Sequence, residues 1–490
     1  MKLFYTKFVQ SPHTRLAFFF FCAMLCTNIL SNAQPQLSYN MIAQGLAKPV
    51  SITNAGDGSG RLFIVEQAGT VKILKNGSVL NTPFLDIKNL TNAGAEYKGL
   101  FSIAFPADYN TKGMFFVFYT DKNGASILAR FKTNKSNPDL AVVSSRVEVL
   151  SISSEAGNGP HFGDMHFGKD GYLYVMISDV SRPGVLNNFA QNGQSLAGKI
   201  LRLNIQVANA PYYRIPADNP FVNNPLVRGE IWSLGLRNAW HWSFDRQTGD
   251  AWIADVGEAD WEEVNFTSAA QAKGANYGWH CYEGNADFNT TGCDNKSSYT
   301  FPVFTYPHNA SNGGSAVIGG YVYRGNAYPA LQGYYICSDY VSSNAWKLKP
   351  NGSGGITVDM QSSGVPSAIV GYGEDESGEL YAVSISGSVY RVQATGSAIT
   401  SATDAAISAS KKSMSSVYPT LVDNSTITLD LKEAYQTVRL IDIHGHEIIR
   451  KTLNSQTGKV TMHLPSLQAG MYIIELTGAS FLNQKIYITK

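Results

Sequence analysis

The sequence predicts an all-β protein, a β-propeller followed by a small C-terminal β-sandwich, and three observations carry that prediction. A glycine-containing turn followed by a short alternating strand recurs irregularly: "GSGRLFIVEQAGTVKIL" from Gly58, "TKGMFFVFYT" from Thr111, "GKDGYLYVMISD" from Gly168, "QTGDAWIADVG" from Gln247 and "ESGELYAVSISGSVYRV" from Glu376. Alternation with period two is the signature of a half-buried strand, and repeated turn-strand units suggest blades around an axis. Composition agrees: 45 glycines, 26 tyrosines and 24 phenylalanines with 15% charged residues suit turns and aromatic-rich strands. The pattern then breaks near Gln393, and a shorter set of alternating segments begins after Ser416. A large β-sandwich is the alternative arrangement of the first set.

Taken in chain order, residues 1–33 read as a secretory signal peptide. Lys2, Lys7 and Arg15 precede the apolar run "LAFFFFCAMLCTNIL", and "SNA" offers small residues for cleavage before Gln34. An uncleaved anchor is the alternative, but the run is short for a span. Residues 34–393 hold the propeller pattern. Residues 394–416, with "ATGSAITSATDAAISASKKSMSS" at their heart, are rich in Ser, Ala and Thr and read as a flexible linker. Residues 417–490 hold "VYPTLVDNSTITLDL", "TVRLIDIHGHEIIRKTL", "GKVTMHLPSLQAGMYIIELTG" and "QKIYITK", alternating strands for a small β-sandwich.

Charge and cysteine narrow the function. A net charge of +1 gives no basic excess for nucleic acid and no acidic tail. Cys22 and Cys26 fall in the leader, leaving Cys281, Cys293 and Cys337. In an oxidising compartment Cys281 and Cys293 could close a short loop worth roughly 3 kcal/mol, with Cys337 a buried thiol in "GYYICSDY". No Cys-x-x-Cys or histidine-rich spacing suggests zinc.

The stretches "KGLFSIAFPADYNTKGMFFVFYT", "LAGKILRLNI", "EIWSLGLRNAWHWSFDRQTGDAWIADVGEADWEEVN", "NYGWHCYEG", "GGYVYRG" and "YGEDESGELY" resemble, in order, the soluble glucose/sorbosone dehydrogenases. That group holds pyrroloquinoline quinone (PQQ)-dependent sugar dehydrogenases and hedgehog-interacting-type relatives. The resemblance covers about Leu46 to Val392 and implies a six-bladed propeller. The tail is similar to the C-terminal sorting domains of the type IX secretion system, through its "VYP" start, "LIDIHGHEI" and "LQAGMYIIEL". That implies the secretion machinery as a partner, export through the periplasm to the surface or medium, and removal of the tail. A structural or carbohydrate-binding β domain is the alternative.

Oxidising a sugar hydroxyl with a quinone needs a base, an electrophilic cofactor carbon and cations for the quinone's three carboxylates. The resemblance assigns the base to His161, followed by Gly163, Phe167 and Gly168. The segment is one residue shorter than the family pattern, and Phe162 and Asp164 depart from it; His166 sits where the family is not catalytic. Asp179 closes the next strand and either orients the imidazole or sugar, or caps a turn. Arg237 and Asn238 of "GLRNAW" stand at the family's cofactor contacts; an Arg tying loops together is the structural alternative. The Gly257–Glu258 turn stands where backbone carbonyls hold Ca2+, and Glu262 and Glu263 where a second calcium could sit. Arg324 of "YVYRG" matches a basic residue near the cofactor. Two features depart from the quinone binders: "SGVPSAIVGYGEDESG" lacks their arginines, and Tyr97 replaces an expected amide. The expectation is a secreted aldose dehydrogenase using PQQ and calcium; a non-catalytic extracellular propeller binding a glycan or protein is the other reading. Trp240, Trp242, Trp261 and Trp279 could stack on sugar faces, although most tryptophans of such a fold belong to its core.

Overall fold

A computed structural model describes residues 34–94, 98–153, 162–179, 188–309, 313–352, 354–395, 416–418, 421–422, 426–442, 446–478 and 481–488. The leader at residues 1–33, nearly all of the linker, His161 and Tyr97 lie outside them. Cα proximity divides the chain into two compact units, residues 1–397 and 398–490.

The first unit contains six antiparallel sheets built around four strands each. Their innermost strands are Pro49–Asn54, Leu100–Ala104, Gly163–Phe167, Ala239–Phe244, Val317–Val322 and Ile369–Glu374. Each contacts the next and the sixth contacts the first, so the ring closes as a six-bladed propeller. Closure is sealed in the sixth blade, where Gln36–Ala43 pairs antiparallel with Ser388–Thr395 as its outermost strand. The five turn-strand motifs supply the second strands of blades one, two, three, four and six: Leu62–Glu66, Met114–Thr120, Leu173–Ile177, Ala251–Asp255 and Leu380–Ser384. Blade five has the same unit in Tyr335–Asp339, after Gly333.

Aromatic side chains fill the wedges between blades. Trp252 of blade four stacks on Tyr335 of blade five with ring centroids 4.6 Å apart, and Tyr306 stacks on Trp346 at 4.4 Å. Near the axis the backbones crowd. A Cβ on Gly319 would lie 2.1 Å from the His241 carbonyl oxygen, and one on Gly373 would lie 1.9 Å from that of Ile52, so only glycine fits there. The Cys281–Cys293 disulfide closes a loop after blade four's third strand, and Cys337 is a buried free thiol. His280 approaches both sulfurs, but they bond each other and so hold no metal.

The second unit is a six-stranded sheet with its own apolar core. Its long strand Thr426–Asp442 pairs with Glu447–His463 along most of its length. Ile427, Leu429 and Leu431 are buried in the first half, Val438 and Leu440 in the second. Register shifts between Leu431 and Thr437 switch the buried parity, so one strand serves both halves of the core.

Candidate active site at one end of the propeller axis

All six inner strands run in the same sense, so their beginnings gather at one end of the axis. There a cavity of about 920 Å³ opens, lined by Val50, Trp240, Ile318 and Val370 from four of those strands. The same cavity is lined by Arg237, Asn238, Gly257 and Glu258, four of the residues expected at a cofactor and metal site.

Asp255 holds the Arg-Asn pair. It ends the strand beside Ala239–Phe244 and accepts the backbone N–H of Arg237 (2.8 Å) and of Asn238 (2.6 Å). Burial pushes its carboxyl up to about 7, against the pull of those two N–H groups. The Arg237 guanidinium donates from Nη1 to the Val256 carbonyl oxygen at 2.8 Å, and Nη2 pairs with Glu258. Its carbon lies 5.5 Å from the centroid of the Trp279 ring, and Nε is buried without a hydrogen-bond partner among the described residues.

The turn after Asp255 is shaped by a residue far along the loop. The Glu283 carboxylate accepts N–H groups from Glu258 (2.6 Å), Ala259 (2.7 Å) and Asp260 (3.2 Å). Gly257 is obligatory here, since a Cβ would fall 1.8 Å from the Trp261 carbonyl oxygen. The two neighbouring carboxylates have protein partners of their own. Glu262 accepts from His308 Nε2 at 2.6 Å and from the Val317 N–H at 2.9 Å; Glu263 accepts from Asn265 and the Gly284 N–H. The hydrogen bond it donates to Glu262 raises the pKa of His308, which lines the cavity with Lys48.

Asp179 is 3% exposed and lies behind this site. Its Oδ2 accepts the Trp279 indole N–H at 2.9 Å, its own N–H donates to the Arg237 carbonyl oxygen at 2.7 Å, and Oδ1 has no hydrogen-bond partner among the described residues. Burial pushes its carboxyl up to about 7, opposed by Lys199, the Trp279 N–H, the Ala190 N–H and Arg237. It therefore positions Trp279 and the Arg237 backbone.

Arg324 is not brought here. It follows Val317–Val322, whose beginning, not its end, lines the cavity through Ile318. A six-residue strand spans about 20 Å, which carries Arg324 to the other end of the axis. There it donates from Nε (2.9 Å) and Nη2 (2.5 Å) to the Asp245 carboxylate. That placement is at odds with the expectation that Arg324 stands near the cofactor beside Arg237 and Asn238. The sixth blade contributes only apolar groups, Val370 and Ile385, in keeping with its missing arginines. Trp240 lines the cavity, donates to the Val370 carbonyl oxygen at 2.8 Å and stacks on Phe162 at 4.3 Å, whereas Trp242 is buried. Sequence reasoning missed Asp255, Glu283, Lys48 and His308; "CYEG" was visible as a motif, but not the reach of its glutamate to the turn.

This architecture is that of the sugar-dehydrogenase propellers. Residues 46–398 match the Glucose / Sorbosone dehydrogenase family, and the chain belongs to that family. Residues 416–489 match the Secretion system C-terminal sorting domain. The HIPL2 protein of Arabidopsis thaliana is 31% identical over 368 residues, covering 61% of this chain and 52% of that protein. The Hedgehog-interacting protein of Mus musculus is 30% identical, covering 71% of this chain and 50% of its own length. The chain thus spans about half the length of these curated relatives. The PQQ-bound aldose sugar dehydrogenase of Streptomyces coelicolor shares the fold with a TM-score of 0.56 at 19% identity, over 74% of this chain and 99% of that one.

Proposed function

We propose that this protein is an exported sugar dehydrogenase that moves a hydride from the carbon bearing a sugar hydroxyl to PQQ in the presence of calcium. One observation carries the reading: Arg237, Asn238 and the Gly257–Glu258 turn, separated in sequence, converge on one cavity of a size suited to a small ligand, roughly 300–1,000 Å³. Charge supports it. Among the described lining residues Lys48 and Arg237 oppose Glu258, leaving one positive charge. A quinone with three carboxylates is balanced only when a divalent cation joins it, and the Gly257–Glu258 turn offers the oxygen ligands calcium takes. Arg237 and Lys48 would pair with carboxylates, the Asn238 amide would hydrogen-bond a quinone oxygen, and the Trp240 ring would wall the site. When bound, the quinone supplies the hydride-accepting carbon and calcium its polarisation. His161 is assigned the sugar's hydroxyl proton by the resemblance. Asp179 keeps Trp279 beneath the Arg237 guanidinium. The sorting domain delivers the enzyme to the type IX machinery, where the tail would be removed.

The test is equilibrium binding of PQQ to chelator-treated protein, with and without added calcium, followed by turnover on a panel of aldoses with an artificial electron acceptor. Saturable binding that requires calcium is expected; its absence under both conditions would overturn the proposal. A second reading, a non-catalytic propeller that binds a glycan or protein, is favoured by the Arg237 guanidinium being already held by Val256 and Glu258. It predicts ligand capture through the Arg237 cavity that added quinone neither needs nor displaces.

A further inference from the structure

A second cavity, of about 620 Å³, lies at the opposite end of the axis, where the inner strands finish. Asn54, Ala104, Phe167, Phe244, Tyr321 and Glu374, one from each blade's inner strand, line it. Its walls carry half-buried rings, among them Phe105, Phe167, Trp232 and Phe244. Among them face three polar groups from three different inner strands. His166 Nε2 is bonded to Asp164 Oδ2 at 3.3 Å, and Nδ1 has no partner among the described residues. The Tyr321 hydroxyl makes no hydrogen bond among the described residues, and the Glu374 carboxyl has only Arg246, 3.6 Å away. The rings of His166 and Tyr321 are 6.0 Å apart, and burial, helped by Asp164 and Glu374, pushes the Tyr321 phenol up.

Asp164 fixes the orientation of the His166 ring. This buried carboxylate also accepts from His241 Nδ1 (3.1 Å), and the two imidazoles, outweighing burial, hold it ionised well below the usual range. A carboxylate only accepts, so Nε2 of His166 carries a hydrogen towards Asp164, and Nδ1 is the ring nitrogen left to meet a ligand. Glu374 complements it: burial pushes its carboxyl up to about 7, against Arg246 and with help from Asp375 and Asp245, so it can donate as well as accept. The charged groups of the wall are already satisfied. Lys169 donates to the Gln247 carbonyl oxygen, Asp170 pairs with Arg202, Asp245 with Arg324, and Arg246 donates to the carbonyl oxygens of Asp375 and Glu376. A neutral ligand with one apolar face and several hydroxyls matches both the ring walls and the three open polar groups.

We propose that this cavity is a separate binding site for a neutral pyranose ring, a free sugar or one unit of a glycan, held by His166, Tyr321 and Glu374 against the aromatic wall. Neither reading of the Arg237 cavity is needed for it. The test is saturation-transfer NMR and calorimetry on the full chain with a panel of methyl hexopyranosides, which have no free anomeric hydroxyl to oxidise. Binding is expected in the wild type and in Arg237→Ala, weakened at least tenfold in Tyr321→Phe and in Glu374→Ala. Tyr321→Phe removes only a hydroxyl and reads the site even if Glu374→Ala fails to fold. The proposal is overturned if no glycoside binds, if Tyr321→Phe binds as the wild type does, if Arg237→Ala abolishes binding, or if tetramethylammonium displaces the sugar.

Discussion

Replacing Asp179 with Asn tests the electrostatics behind the Arg237 cavity. In the unfolded chain this carboxyl has its ordinary value of 3.8, and in the fold burial pushes it up to about 7. Between those values the unfolded state has released the proton while the native state keeps it. The unfolded state then binds fewer protons, so stability falls as pH rises through that window. At about 1.4 kcal/mol per pH unit, moving a carboxyl from 3.8 to about 7 costs the native state at most about 4 kcal/mol above neutrality. An Asn amide oxygen still accepts the Trp279 N–H but does not titrate. Asp179→Asn should therefore be less stable than or equal to the wild type near pH 4 and more stable above pH 7. The difference between the two should change by roughly 1.4 kcal/mol per pH unit between them. Urea unfolding of both proteins at half-unit pH steps, followed by tryptophan fluorescence, measures it. Parallel stability curves would refute the argument and mean that Asp179 is ionised in the fold.

Other consequences are equally direct. Glu283→Ala removes an acceptor for three N–H groups of the turn at Glu258 and should cost about 3–5 kcal/mol; Glu283→Gln, which keeps one acceptor, should cost less than half as much. Urea midpoints read the stability, and calorimetric calcium titration reads the turn, which should weaken in both variants. Arg324→Ala leaves the buried Asp245 carboxylate unpaired and should lower stability by about 3 kcal/mol or more while leaving quinone binding at the Arg237 cavity unchanged; lost binding at intact stability would return Arg324 to that site. Thiol titration of the exported protein under denaturing, non-reducing conditions should find Cys337 alone, because Cys281 and Cys293 are joined.

The sequence on its own placed five turn-strand units and the change of pattern that precedes the second unit. Alternation and glycine turns are local, and every quoted turn-strand motif fell on the second strand of a blade. It also singled out Arg237, Asn238, Gly257 and Glu258, which line one cavity, because short-range motifs before Ala239–Phe244 and after Ala251–Asp255 carry them. Which end of the axis each residue reaches was decided only by the tertiary structure. Arg237 precedes an inner strand and Arg324 follows one, and equal chemistry in equally strong motifs says nothing about that difference. Closing six blades into a ring gathers all strand beginnings at one end and all strand ends at the other. The Asp164–His241 and His241–Val50 contacts span 77 and 191 residues, and Glu283 reaches back 25 residues to its turn. Such partners have no local signature, since a buried carboxylate is recruited by whichever N–H groups the closed ring leaves facing it.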